Sequence, residues 1–200
     1  MTLDHFNNLS EDEKAAYLLS CEGLETTIKD NEAQISSLTK ENETYRIGFE
    51  FILKQISLAK EQNPDLIFVN MHWGYEYHTK QSTEQERLAN LLFTNGVDVI
   101  LGSHPHVLQG FEYYNGVPIV YSMGNFIFNN STKDSMMIEA TLNENLTCSL
   151  RVIPCGMSGV KMTAKSEEAS EKVYEYLASI SYNVQIDENG YLVSVDYPSE

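Results

Sequence analysis

The 200-residue sequence predicts an α/β fold, and three observations carry that expectation. Two apolar runs, Leu66 to Val69 and Val97 to Leu101, are bounded by turn residues and read as buried parallel strands. Between them Ser82 to Asn95 reads as a helix, because Ser82 and Gln85 have the spacing of a capping box and Gly96 stands where a C′ glycine belongs. Further on, Asn115-Gly116 separates Phe111 to Tyr114 from Val117 to Tyr121, the strongest short signal for a β-hairpin. A strand, helix, strand unit with a right-handed crossover lays its strands parallel, so the loops after both strands open on one edge of the sheet. Those loops are His72-Trp73-Gly74-Tyr75-Glu76 and Gly102-Ser103-His104-Pro105-His106, and they carry three of the five histidines. His72, His104 and His106 are therefore expected to meet in space.

The other elements follow from local pattern. Ser10, with Glu13 three residues on, opens a short helix running to about Cys21 and ended by Gly23. Leu24 to Gln62 has no proline and one glycine, Gly48; Ile28, Asn31, Ile35, Leu38, Asn42, Tyr45, Phe49, Ile52, Ile56 and Ala59 form a heptad-like seam. The half from Ile47 is the more apolar and is expected to pack on the sheet. The earlier half is either a self-association element or a solvated helix. Asn63-Pro64-Asp65 breaks the helix and starts the first strand. Tyr121 to Phe128 reads as a strand interrupted at Gly124, where glycine suggests close backbone approach to the histidine loops. After a loop from Asn129 to Asp134, Met136 to Leu142 and Thr147 to Ile153 alternate as a second hairpin. Ser166 to Ser181 reads as a helix with Val173, Tyr176, Leu177 and Ile180 on one face. A closing hairpin pairs Val184-Gln185-Ile186 with Tyr191 to Val195.

Charge narrows the partners. Twenty-nine acidic against 13 basic residues give a net charge of −16, which repels phosphate backbones and anionic lipid and suits cations. Nucleic acid is excluded as a partner on this ground, and membrane contact by this segment is not expected. No apolar run approaches the roughly 18 residues of a membrane helix, and no basic-then-apolar leader is present, so a soluble segment is expected. Cys21, Cys148 and Cys155 are odd in number and form no Cys-x-x-Cys pair; free thiols are expected.

The histidines carry the chemistry. His-x-His beyond a strand can aim both imidazoles at one centre, with Pro105 stiffening the arrangement. Neutral imidazoles suit zinc, manganese or iron, and Glu76 is the nearest carboxylate to complete the set. The other reading of the same residues is a histidine cluster hydrogen-bonded to backbone. His5 is assigned to the surface and His78 to a rim. A serine hydrolase using Ser103 or Ser122 is disfavoured because no Gly-x-Ser-x-Gly elbow occurs. No phosphate-cradling Gly-x-x-x-x-Gly-Lys loop occurs either. Trp73, the sole tryptophan, lines a pocket or packs in the core.

His72-Trp73-Gly74-x-Glu76-Tyr77, then Gln85 and Ala89, then Gly96 to Gln109 with its Gly102-Ser103-His104-Pro105-His106 centre, then Tyr121-Ser122-Met123-Gly124-Asn125-Phe126-Ile127-Phe128, together resemble the C-terminal half of the CapA-type bacterial capsule (poly-gamma-glutamate) synthesis proteins. Their fold is similar to that of calcineurin-like metallophosphoesterases. The likeness is dense from Ile47 to Phe128 and fades after Leu142. It implies part of a layered metallophosphoesterase-like α/β sandwich, with residues 1–46 as a helical lead or linker and residues 47–200 as the C-terminal part of the domain. It implies that His72, His104 and His106 are metal ligands and that Glu76, Gln109, Ser122 and Asn125 lie around the cleft. The implied cofactor is a divalent metal, manganese, zinc or iron; the implied partner is an anionic polymer or a phosphoester substrate, at the bacterial cell surface or on a membrane-anchored extracellular protein. The family's Gly-Asp and Asn-Asn-His-x-x-Asp motifs do not occur, since Asn7-Asn8 is followed by Leu9 and Asn129-Asn130 by Ser131. Met1 is thus expected to begin partway through the fold, and the chain alone is expected to be inactive on phosphate esters. The alternative is a non-catalytic module that uses the histidines structurally or to bind an anionic polymer. A half-sandwich would leave an apolar face, so a homodimer is expected, covered by the helix around Ile28 to Ala59 of a second copy.

Overall fold

The structure, a computed structural model, describes residues 10, 29, 43, 47–126, 134–144, 148–158 and 161–195. The chain divides into two compact units, Met1–Lys54 and Gln55–Glu200. Of the first unit the described residues are Ser10, the helical Lys29 and Glu43, and the start of helix α1 (47–60). The early part of the predicted seam, the Ser10 to Cys21 helix beyond Ser10 itself, His5, and Ile127 to Lys133 lie outside the described residues.

Along α1 the seam positions Phe49, Ile52 and Ala59 are half-buried and Ile56 is buried, whereas Ile47, Phe51 and Leu58 on another face are exposed. Asn63 ends the turn in a left-handed conformation (φ 49°), with its N–H on the Lys60 carbonyl, and Pro64 prevents any continuation.

Strands β1 (Phe68–His72), β2 (Val99–Ser103), β3 (Phe111–Tyr114) and β4 (Val117–Val120) form one sheet in the order β1-β2-β4-β3. β1 and β4 flank β2 in parallel; β3 returns antiparallel on β4. Strands β1 and β2 both start two residues later than their apolar runs. A local lock explains this: Asp98 N–H donates to Ile67 O (2.9 Å) while Ile67 N–H donates to the Asp98 carboxylate (2.7 Å), and the ladder begins at Phe68 opposite Val99. His72 is thereby the last residue of β1. The expectation that both strands are buried holds for β2, where Val99 and Ile100 are 0% exposed, and fails for β1. β1 lies at the edge with a neighbour on one side only, and Phe68 is 42% exposed.

Helix α2 (Thr83–Thr94) links β1 to β2 and has the expected capping box, with Gln85 N–H on Ser82 Oγ (3.2 Å) and Ser82 N–H on Gln85 Oε1 (3.0 Å). Such a cap is worth about 1 kcal/mol. Gly96 (φ 77°) ends it in a Schellman arrangement: Gly96 N–H reaches Phe93 O and Val97 N–H reaches Leu92 O. The β3–β4 hairpin turns on Asn115 and Gly116, both at positive φ, as a type I′ turn requires.

Tyr121 to Phe126 is not the interrupted strand that the sequence suggests. Among the described residues its one ladder contact is a bridge between Met123 and Leu108, and the chain turns at Gly124 (φ 71°). Backbone bonds nevertheless hold it between two neighbours: Met123 N–H donates to Gly102 O, Tyr121 N–H to Gly110 O, and Gln109 N–H to Ser122 O.

β5 (Asp134–Leu142) and β6 (Cys148–Ser158) form the second hairpin, extended by β7 (Lys161–Ala164), which has a single large apolar residue, Met162, and no legible strand pattern. Helix α3 (Glu167–Ser179) buries Ser170, Val173 and Leu177; Tyr176, expected on that face, is 40% exposed. The closing hairpin is β8 (Val184–Ile186) with β9 (Leu192–Ser194). The core joins Val99, Leu108, Phe111 and Val120 to Met136, Leu150, Val152, Val173, Leu177, Val184 and Leu192, which layers the four-stranded sheet, the three-stranded sheet and α3 around one apolar interior. The fold is thus α/β, as expected. Cys148 and Cys155 are free thiols, and burial raises the pKa of both.

Gly102 is the tightest point of this packing. A methyl group there would overlap the Tyr121 carbonyl and the Trp73 indole nitrogen. Gly102→Ala is expected to cost about 3 kcal/mol in urea unfolding, because backbone cannot give way as a side chain does. Gly116→Ala meets nothing within 4 Å and should cost only about 1 kcal/mol, through its positive φ alone.

Candidate metal centre

The register of β1 on β2 sets His72 opposite Ser103, so the two histidine loops leave the sheet side by side. Three bonds fix them: Trp73 N–H to Ser103 O (3.1 Å), Tyr77 N–H to Pro105 O (2.7 Å), and the buried Trp73 indole N–H to Tyr121 O (2.9 Å). Trp73 is 6% exposed and stacks on Tyr121 with ring centres 5.8 Å apart, so it packs in the core. The structure brings the three imidazoles together. The rings of His72 and His104 are centred 4.5 Å apart, and those of His104 and His106 5.8 Å apart.

The closest donor set differs in one member from the expected trio. Glu76, His104 and His106 each place a ligand atom within 4.8 Å of the others, and His72 stands beside this set against the His104 ring. Donors about 2.1 Å from a tetrahedral zinc are about 3.4 Å apart, so small side-chain rotations close the set on a cation. His106 is already aimed. Its Nδ1 lies 2.6 Å from Asn125 Oδ1, and its Nε2 faces Glu76 Oε1 at 3.9 Å. An Nδ1–H donated to Asn125 fixes the tautomer that leaves Nε2 as a ligand. His104 (φ 100°), His106 (φ 59°) and Tyr77 (φ 64°) all have left-handed backbone, a conformation that non-glycine residues hold only where the surroundings impose it, and one concentrated at functional sites.

Gln109 and Ser122, expected at the cleft, face protein. Both are 0% exposed. Gln109 Nε2 donates to the carbonyls of His78 (2.8 Å) and Lys80 (3.2 Å), and its Oε1 accepts from Gln85 Nε2 (2.9 Å). Ser122 Oγ donates to Val107 O (2.8 Å), and Ser103 Oγ to Met71 O (3.2 Å), so both serines are engaged with backbone. Gln85 is the site-building residue that the sequence reading missed: beyond its cap, it anchors the Gln109 amide that holds the loop of Glu76. Its signal was a polar side chain on the face of α2 that also carries Ala89 and Leu92. His78 is exposed, its ring 5.7 Å from Tyr75, in keeping with a rim position. A side chain on Gly124 would meet the Asp134 carbonyl first and then Leu108, just past the second histidine loop.

This constellation lies on parallel strand ends of an α/β sheet, within the stretch that a family model matches. The family model described as Bacterial capsule synthesis protein PGA_cap matches residues 10–130, and the chain belongs to that family. Among its relatives, the capsule biosynthesis protein CapA of Bacillus anthracis is 42% identical over 135 residues, 64% of this chain and 33% of the relative. The PGA biosynthesis protein CapA of Bacillus subtilis (strain 168) is 40% identical over 108 residues, 52% of this chain and 28% of the relative. The chain thus spans about a third of the length of these relatives at most. No helix among the described residues is long and apolar enough to cross a membrane.

Asn125→Ala removes the partner that fixes the His106 ring. Isothermal titration with zinc is expected to show affinity about 10- to 100-fold below the parent, the usual effect of losing such a partner.

Proposed function

We propose that this chain serves capsule or poly-gamma-glutamate synthesis by holding a divalent cation on Glu76, His104 and His106, with His72 alongside, and presenting it to an anionic polymer or a phosphoester. The convergence of those donor atoms within 4.8 Å carries the reading. Mixed imidazole and carboxylate ligation accepts manganese, zinc or iron. A cation bound there supplies Lewis-acid polarisation of a phosphoryl or carboxylate oxygen. The chain's own groups supply orientation: Asn125 holds His106, and the Gln85–Gln109 pair holds the loop of Glu76. The names of the relatives support a place in capsule or PGA biosynthesis.

Binding rather than turnover is the function we assign to this chain alone. Two-metal phosphoester chemistry needs cations about 3.5 to 4 Å apart and both ends of the displaced bond served. Among the described residues one trio of donors is grouped, and His78, the nearest spare imidazole in sequence, sits on the exposed rim. Purified chain with manganese or zinc and an aryl phosphate is expected to show no turnover above the metal-only control, while zinc titration shows binding that His104→Ala removes. Turnover abolished by His104→Ala would overturn the assignment to binding; absence of zinc binding by the parent would overturn the centre itself.

We further propose a homodimer. Ile47, Phe51 and Leu58, at helical spacing on one face of α1, are 56%, 63% and 44% exposed, and such stripes favour a second copy. Sedimentation at micromolar concentration is expected to give a dimer that Phe51→Glu converts to monomer.

A further inference from the structure

We propose that the cavity between α2, the β3–β4 sheet and the segment Ser179 to Tyr182 is a second binding site, one that takes a small organic ammonium ion with an apolar body. The cavity is about 620 Å³, the size of ordinary small-molecule sites, and none of Glu76, His72, His104 or His106 lines it. Tyr121, 1% exposed, forms part of its wall and donates its hydroxyl to Glu112 Oε2 (2.7 Å). Burial, that bond, and the negative charges of Glu112 and Glu86 all raise the Tyr121 pKa, so the phenol stays protonated, and both carboxylates line the cavity.

The lining is net negative, with Glu86 and Glu112 against Lys80. Gln81 Nε2 is spent on Glu86 Oε1 (3.2 Å), while Gln81 Oε1 is buried and has no hydrogen-bond partner. The hydroxyls of Ser179 and Ser181 are spent on the Tyr176 and Leu177 carbonyls, each at 2.6 Å. Alongside the Thr79 hydroxyl and the Asn90 amide, the Gln81 carbonyl and two carboxylates line the space, and the carboxylates call for N–H donors and positive charge. Ile119 gives the wall an apolar surface, and Tyr114 and Tyr182, 42% and 61% exposed, bring aromatic faces suited to a cation. Lys80 also lines the cavity and is the chain's own competing ammonium.

The test is a titration of the full chain with benzylamine, and with benzyl alcohol as its neutral counterpart, followed by amide NMR shifts. Benzylamine is expected to give saturable shifts at Gln81, Glu112 and Tyr121 that benzyl alcohol does not reproduce. Glu112→Gln, which still accepts from Tyr121, is expected to weaken binding about fivefold, as loss of a partly exposed ion pair does, and Lys80→Ala to strengthen it. Should Glu112→Gln fold poorly, Gln81→Leu carries the same expectation through loss of the unpartnered acceptor. Equal affinity for benzyl alcohol, absence of saturable shifts at these residues, or unchanged affinity in the folded variant overturns the proposal.

Discussion

The parallel pairing of β1 on β2 is the constraint on which the rest of the molecule depends. Its register places Met71 opposite Gly102 and His72 opposite Ser103, so a slip of one residue would turn the His72 ring to the other face of the sheet. Gly102 makes the register tolerable for a third neighbour. With no side chain, it lets the Tyr121 carbonyl and the Trp73 indole close over the end of β2. Trp73 then donates its buried N–H to that same carbonyl, which bonds the first histidine loop to the segment bearing Ser122 and Asn125. One glycine and one indole thus bring three stretches of chain to a common edge, and the donor set is a consequence of that edge.

Away from the sheet the loops are positioned by polar groups with no access to solvent. Gln85 and Gln109 bond to each other, and the Gln109 amide takes up the carbonyls of His78 and Lys80, which the loop would otherwise bury unpaired or turn to water. Leaving such a group unsatisfied costs about 1 to 3 kcal/mol, so the pair specifies a single path for residues 76 to 80. The same loop forms one wall of the second cavity through Lys80 and Gln81. On the two proposed readings its two faces would serve two chemistries, with the buried glutamines shared by both.

Much of this was legible from local signals. The capping box of Ser82 and Gln85, the C′ role of Gly96 and the Asn115-Gly116 turn are short-range devices whose residues state their own conformation, and each is found where the spacing puts it. The meeting of His72 with His104 followed from topology, since parallel strands joined by one helix share an edge. What was not legible depended on tertiary partners. The burial of β1 depends on its place at the sheet edge, the extent of β4 on a turn at Gly124, and the exposure of Tyr176 on which neighbours α3 meets. The roles of Gln109 and Ser122 could not be read either, because a polar residue beside histidines looks the same in sequence whether it faces a ligand or a backbone carbonyl. Burial alone distinguishes the two.

The charge balance bears on how an acidic chain could meet an anionic polymer. A net charge of −16 repels such a partner at any distance within the Debye length of about 8 Å in physiological salt. Two neutral imidazoles and one carboxylate around a divalent cation sum to a single positive charge, so on the proposed reading the metal centre reverses the sign of the field at one edge of the sheet. The remaining acidic surface would then act against contact elsewhere, confining an anionic chain to that edge. The second cavity, with Glu86 and Glu112 against Lys80, would stay negative and disfavour the same polymer. Opposite local charges on a strongly acidic molecule would therefore sort two kinds of ligand to two places, using the repulsion that otherwise disfavours binding as a source of specificity.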